Sequence, residues 1–233
     1  MARVWMPLPD RDFDPTESAV PWHVLTSAGH DVVFATEHGG VPACDPLMLT
    51  GVVFGQLGAK AEARELYARM SEDAAFRAPL RYGDVDPAAF DGLWLAGGHA
   101  KGMRPYLESA VLRERVRAAW GRPVAAICHG VLVLARAGVL AGVRTTCLPK
   151  YMEQAAYFAT AWAKGDYYRT YPEYVEDEVR RLGADVVRGP ITLFAHGTRE
   201  DDGPAFVVED GAYVSARWPG DAWRLARVFA GKL

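Results

Sequence analysis

Apolar segments and helix-like segments alternate along the chain. Short apolar runs with the length and composition of buried strands lie at residues 3–8, 31–36, 90–96 and 124–127. Segments with the period or the capping residues of a helix lie at residues 14–27, 60–71, 107–120 and 221–229. This alternation predicts an α/β fold in which a mostly parallel sheet is covered by helices on both faces.

The last third of the chain departs from this alternation. Residues 193–195 and 205–208 are predicted to be strands of a late hairpin, with Asp210-Gly211 as a turn before a strand at 212–216. A short strand is also predicted at 144–148.

An aromatic-rich segment interrupts the pattern before that hairpin. Residues 151–178 are rich in Tyr, Trp and Glu, and we interpret the stretch of about 151–190 as a helical insertion over one end of the sheet. We favour a packing helix over a lid, and packing over pocket-lining roles for Tyr167, Tyr168 and Tyr171. The whole chain, 1–233, is predicted to be one domain that carries this insertion.

Composition narrows the classes of function. The net charge is −3 and no block of Lys or Arg is present, which argues against nucleic acid or an anionic membrane as a partner. Cys44, Cys128 and Cys147 are odd in number and widely spaced, which fits neither a disulfide framework nor a zinc site. The first residues lack the apolar core of a signal peptide, so we expect a cytoplasmic protein. We also expect that it uses no metal and no cofactor.

A cysteine at a predicted strand-to-helix turn is the strongest candidate for chemistry. The apolar run 124–127 stops at Cys128-His129-Gly130, and a helical pattern follows at once. A helix N-terminus favours a thiolate over a thiol, so the turn predicts a reactive nucleophile at Cys128. The alternative is a buried structural cysteine that precedes a turn.

Other polar groups follow the carboxyl ends of neighbouring strands. Gly97, Gly98 and His99 follow the strand at 90–96, and Glu17 follows the first strand, in a helix capped by Asp14. Chemistry in parallel sheets collects at these ends. On local grounds alone, Glu17 stabilises the helix N-terminus by ~0.3–1 kcal/mol. The remaining histidines show no metal-ligand spacing and are interpreted as surface or hydrogen-bonded side chains: His23, His30, His38 and His196.

Several of these stretches together resemble a known family. Residues 125–130 (Ala-Ala-Ile-Cys-His-Gly) and 96–99 (Ala-Gly-Gly-His) resemble the ThiJ/PfpI (DJ-one) superfamily, which has the class I glutamine amidotransferase-like fold. Residues 16–21, residues 34–40 with Asp45-Pro46, and the spacing from Ala141-Gly142 to Glu153 resemble its glyoxalase III-type heat-shock branch. The resemblance implies a flavodoxin-like three-layer sandwich with a central, mostly parallel sheet, and a homodimer.

The resemblance also implies roles for individual residues. Cys128 would be the nucleophile, and Glu17 a partly protonated acid/base beside it. His129 would move or accept protons, with Glu153 as a candidate partner for its ring. Backbone N–H groups of Gly97, Gly98 and His129 would form an oxyanion hole, with His99 as a further substrate contact.

Three functions are consistent with these residues. We rank first a cofactor-free glyoxalase III-like conversion of methylglyoxal to lactate, with a stress-protective role. The second is amide or peptide hydrolysis by a triad of Cys128, His129 and Glu153. The third is a redox sensor or chaperone in which Cys128 is oxidised.

Overall fold

A computed structural model describes residues 1–191 and 195–233. The strands are β1 Arg3–Pro7, β2 Arg11–Phe13, β3 Asp31–Thr36, β4 Ala43–Cys44, β5 Leu80–Arg81, β6 Gly92–Leu95, β7 Val124–Ile127, β8 Arg144–Thr145, β9 Asp185–Val186, β10 Val207–Asp210 and β11 Tyr213–Ala216. The helices are α1 Pro15–Ser27, α2 Pro46–Thr50, α3 Ala61–Glu72, α4 Ala74–Arg77, α5 Arg104–Glu108, α6 Ala110–Ala119, α7 Gly130–Arg136, α8 Lys150–Lys164, α9 Val175–Arg181 and α10 Ala222–Ala230.

A seven-stranded sheet, counted over the described residues, forms the middle layer of the fold. Its strand order is β10-β11-β7-β6-β1-β3-β5, and every pair is parallel except β10 with β11. Helix α1 packs against α3 and α10, whereas α7 packs against α5, α6 and α9. The molecule therefore has the α/β architecture that the alternation of segments predicts, in the flavodoxin-like form that the family resemblance implies.

The first helix begins where the capping residues predict. The Asp14 carboxylate accepts hydrogen bonds from the N–H groups of Thr16 (2.7 Å) and Glu17 (3.2 Å), and Pro15 is the first helical residue. The helix ends at Ser27, and Gly29 follows with a φ of 82°. The local sequence thus positions Glu17 in the first turn, directly after the sheet edge.

The helix predicted over 107–120 is present as α6, and a break at Ser109 separates it from the first two predicted residues. Two helices, α5 and α6, meet at Ser109, whose hydroxyl accepts a hydrogen bond from the Leu112 N–H at 3.1 Å. The Ser109 side chain supplies the acceptor that a free backbone N–H needs at the start of a helix, so a new helix begins here. The amphipathic period alone did not reveal the break.

The late hairpin is confirmed in its second half. β10 and β11 pair in antiparallel register around Asp210-Gly211, and β11 also pairs with β7 beside Cys128. The predicted strand at 193–195 lies largely outside the described residues, since 192–194 are not described. The short strand predicted at 144–148 is reduced to β8, which pairs with β9 rather than with the central sheet.

The core fills the space between the sheet and its helices. Large side chains with almost no exposed surface, such as Trp5, Trp94 and Phe34, lie within one continuous cluster. No helix among residues 1–191 and 195–233 is long and apolar enough to cross a membrane.

Candidate active site

Cys128 lies at a sharp turn between β7 and α7. Its φ is 57°, a left-handed conformation that is strained for a residue with a side chain. Its N–H donates to the Ala216 carbonyl at 3.1 Å, which extends the β7–β11 pairing by one residue. A Cβ at Gly130 would lie 2.4 Å from the Leu95 carbonyl oxygen, so only glycine allows α7 to start this close to β6. The turn directs the Cys128 side chain toward a cleft, which it lines.

Glu17 and Cys128 converge on Gly97. The Glu17 Oε2 accepts the Gly97 N–H at 2.7 Å, and the Trp94 indole N–H donates to the Glu17 carbonyl at 2.9 Å. A Cβ on Gly97 would lie 2.8 Å from Glu17 Oε2, 2.8 Å from the His129 nitrogen and 2.9 Å from the Cys128 Cβ. The close approach of α1, β6 and the β7–α7 turn therefore requires glycine at this position.

Burial determines the protonation of this pair. Burial, followed by the nearby Asp14 carboxylate, raises the pKa of Glu17 well above its ordinary value. Burial, followed by Glu17, likewise raises the pKa of Cys128, although a hydrogen bond from the His129 N–H opposes this. Both pKa directions favour a neutral carboxyl beside a thiol in the resting protein. They run opposite to the effect of the helix N-terminus, on which the prediction of a thiolate at Cys128 rests.

His129 is also uncharged. Its ring is fully buried, and Nδ1 lies 3.5 Å from the Cys128 Sγ. Burial, with smaller effects of His99 and Arg136, lowers its pKa to about 3. The ring is a neutral imidazole that can accept a proton from sulfur but does not form a resting ion pair with it.

Glu153 lies across the cleft, on α8, with 2% of its surface exposed. Its Oε2 accepts the Val175 N–H at 3.1 Å, and burial raises its pKa to about 7. Within the described residues, Glu153 Oε1 and His129 Nε2 have no hydrogen-bond partner, and the two side chains are not bonded to each other. The structure thus brings Glu153 to the Cys128 cleft but does not form the Cys-His-Glu chain.

The glycine pair that follows β6 is only partly free to bind substrate. The Gly97 N–H is taken by Glu17 and the Gly97 carbonyl accepts the Asp14 N–H, so this residue cannot serve the predicted oxyanion hole in the resting state. Gly98 has a φ of 148°, and a Cβ there would lie 2.4 Å from the Met103 Sδ. The N–H groups of Gly98 and His129 remain the candidate donors to a substrate oxygen.

His99 lines the same cleft. Its ring stacks on Tyr168 at a centroid distance of 4.5 Å and meets Tyr167 edge-on at 5.4 Å. Burial lowers its pKa to about 4, and its Nε2 has no partner among the described residues. An unpaired nitrogen in the wall of the cleft is available to a ligand.

The cleft has a volume of about 420 Å³, within the usual range of ligand pockets. Three of its features were not predicted. Tyr168 lines it, which corrects the expectation that this ring only packs. His196 lines it beside Trp218, at a ring separation of 4.4 Å. Helix α8 of the insertion forms one wall of the cleft. The alanines at 155, 156 and 159 lie on the face of α8 that lines the cleft, and their spacing in the sequence could have indicated that face.

Metal ligands are not grouped in the part of the chain that the structure describes. No set of three or more His, Cys, Asp or Glu side chains there is placed to hold a metal ion. Cys44 and Cys147 are free and buried, and neither lines the Cys128 cleft.

Comparison with known proteins gives a consistent result. A family model described as ThiJ/PfpI family-like matches residues 8–180. A deglycase of Pyrococcus abyssi is 29% identical over 93% of this chain and 91% of its own, and the deglycase PfpI of Pyrococcus furiosus is 27% identical over 94% and 92%. The crystal structure of glyoxalase III from Candida albicans superposes with a TM-score of 0.73 at 18% identity, over 100% of this chain and 97% of that one.

Proposed function

Because this chain belongs to the ThiJ/PfpI family, we propose that it is a cysteine-dependent enzyme for reactive aldehydes that converts methylglyoxal to lactate without a cofactor. The observation that carries the proposal is the fully buried Glu17 carboxyl, which meets the Cys128 side chain at Gly97 beside the cleft that Cys128 lines. Relatives named deglycases and a structural neighbour named glyoxalase III support chemistry on reactive carbonyl compounds.

The reaction begins with a thiol addition. The Cys128 Sγ attacks the aldehyde carbon of methylglyoxal, the thiol proton passes to His129, and the Glu17 carboxyl gives its proton to the former carbonyl oxygen, which yields a hemithioacetal. The His129 Nδ1, 3.5 Å from the sulfur, is placed to receive the proton as sulfur attacks. Because the thiolate is the nucleophile, removal of the thiol proton by His129 has to accompany the attack.

A proton then moves between adjacent carbons. A base removes the proton from the hemithioacetal carbon to give an enediol, and reprotonation at the neighbouring carbon gives a lactoyl thioester on Cys128. Water hydrolyses this thioester, releasing lactate and restoring the thiol, so the reaction consumes one water and needs no oxidant. Glu17 is ionised once it has given its proton to the aldehyde oxygen, so its carboxylate can remove the carbon proton and return it to the neighbouring carbon.

Other groups position the substrate. The N–H groups of Gly98 and His129 stabilise the developing oxygen charge. His99 and Glu153 line the cleft with unpaired polar atoms, which suits contact with the substrate hydroxyl and ketone oxygens.

The two other functions have less support. A triad hydrolase needs His129 oriented by Glu153, and no hydrogen bond joins these residues in the described structure. A peroxide sensor needs an accessible thiolate, whereas burial raises the pKa of Cys128.

Lactate formation from methylglyoxal, measured without glutathione, tests the proposal. Wild type should form lactate, and Cys128→Ala should not exceed the rate without enzyme. Cys44→Ala is the matched control, since this buried cysteine lies outside the cleft. Equal rates for wild type and Cys128→Ala would end the proposal, and peptidase activity lost in the same variant would favour the hydrolase.

A further inference from the structure

The cleft is much larger than methylglyoxal requires. At ~30 Å³ for each non-hydrogen atom, the volume that liquid water gives a molecule, methylglyoxal fills ~150 Å³. The cleft offers about 420 Å³. More than half of the space would hold only water if methylglyoxal were the substrate, and this space would accommodate a substituent the size of an aromatic ring.

One wall of the extra space is apolar and is built from a cluster of side chains outside the main core. Met48, Val52 and Tyr168 form a small buried cluster separate from the main core, and Ala156 of α8 packs against it. Met48, Tyr168 and Ala156 line the cleft. A thioether and a flat aromatic ring adapt well to an aromatic guest, and the small side chain at 156 leaves room for it.

The charges around the cleft disfavour an anionic guest. The carboxyl groups of Asp14 and Glu153 line it, both almost fully buried. Among the described lining residues, Lys60 is the one Lys or Arg, and its side chain is exposed. A phosphate or carboxylate on the substrate would therefore meet buried acidic groups without a paired guanidinium.

We propose that the cleft selects 2-oxoaldehydes whose substituent is an uncharged aromatic or branched apolar group, seated against Met48, Tyr168 and Ala156. The inference rests on the proposed function only for the reaction of the aldehyde group with Cys128, and not for the binding of the substituent. With phenylglyoxal the steps are the same: sulfur adds to the aldehyde, one proton moves between carbons, and water releases mandelate. No co-reactant besides water is needed.

Steady-state kinetics test this selection. Phenylglyoxal should be turned over with a kcat/KM at least tenfold above that of methylglyoxal, with the rate of Cys128→Ala subtracted as background. Ala156→Phe fills the apolar wall and should lower the ratio of the two kcat/KM values at least tenfold. Ala161→Phe, on the opposite face of the same helix and outside the cleft lining, should leave the ratio unchanged. A wild-type ratio of one or below would overturn the inference.

A binding measurement separates this inference from the proposed function. Titration calorimetry compares the binding of mandelamide and lactamide. Both are unreactive neutral amides, and mandelamide has a phenyl group where lactamide has a methyl group. Mandelamide should bind wild type at least tenfold more tightly, and Ala156→Phe should remove the difference. If neither aldehyde is turned over but mandelamide is preferred, the proposed function fails and the inference about the cleft stands. Equal binding of the two amides would overturn the inference even if methylglyoxal is converted.

Discussion

Glu153 should make folding stability depend on pH with a definite sign. Burial raises the pKa of this carboxyl from 4.5 to about 7. A group whose pKa is higher in the folded protein binds its proton more tightly there, so its contribution is complete below pH 4.5 and is lost as pH rises through 7. At ~1.4 kcal/mol for each pH unit, ionisation of Glu153 removes ~3 kcal/mol of the free energy of unfolding.

Glu153→Gln isolates this contribution. The glutamine oxygen can still accept the Val175 N–H, but the side chain no longer titrates. Urea unfolding of wild type and variant at intervals from pH 4.5 to 8 should show the variant gaining ~3 kcal/mol relative to wild type over this range. Other titrating groups cancel in the difference.

A second variant supplies a control of opposite sign. Hydrogen bonds from Arg181 lower the pKa of Glu173 from 4.5, so Glu173→Gln should lose stability relative to wild type as pH rises toward 4.5 and change little above it. A Glu153→Gln difference that stays flat, or that falls as pH rises, would refute the reasoning about this buried carboxyl.

Three further substitutions test separate parts of the account. Glu17→Gln keeps an acceptor for the Gly97 N–H, so the fold should survive while lactate formation falls ~10²–10⁴-fold; a wild-type rate would exclude Glu17 from proton transfer. Gly97→Ala places a methyl group within 3 Å of three site atoms, and should lower stability by ~1–3 kcal/mol in urea unfolding; an unchanged midpoint would contradict the packing described. Ser109→Ala removes a helix cap and should cost ~1 kcal/mol in the same assay, and no loss would mean that the cap is not formed.

Features set by neighbouring residues were predictable from the sequence. The Asp14 cap, the first-turn proline and Gly29 define α1 within a few positions, so its start and end agree with the structure. The apolar run that ends at Cys128 predicted the strand-to-helix turn, and the positive φ at that residue confirms its sharpness.

Features set by distant residues were not predictable in the same way. Glu17 and Gly97 are 80 positions apart in the sequence. The local pattern indicated only that Glu17 stabilises the start of α1, and the family resemblance alone placed it beside Cys128. The direction of the pKa shift at Cys128 depends on how completely the folded chain excludes water, which no local signal encodes. Tyr168 lines the cleft because α2 and the insertion meet there, a contact that periodicity does not specify.

The most direct test of the central claim is to trap the covalent intermediate. Wild type is mixed with methylglyoxal, quenched with acid within the first turnovers, and analysed by intact mass and peptide mapping. The account predicts an added mass of one methylglyoxal on Cys128, and none on the same peptide of Cys128→Ala. Lactate production with an unmodified Cys128, or with the adduct confined to Cys44 or Cys147, would contradict it.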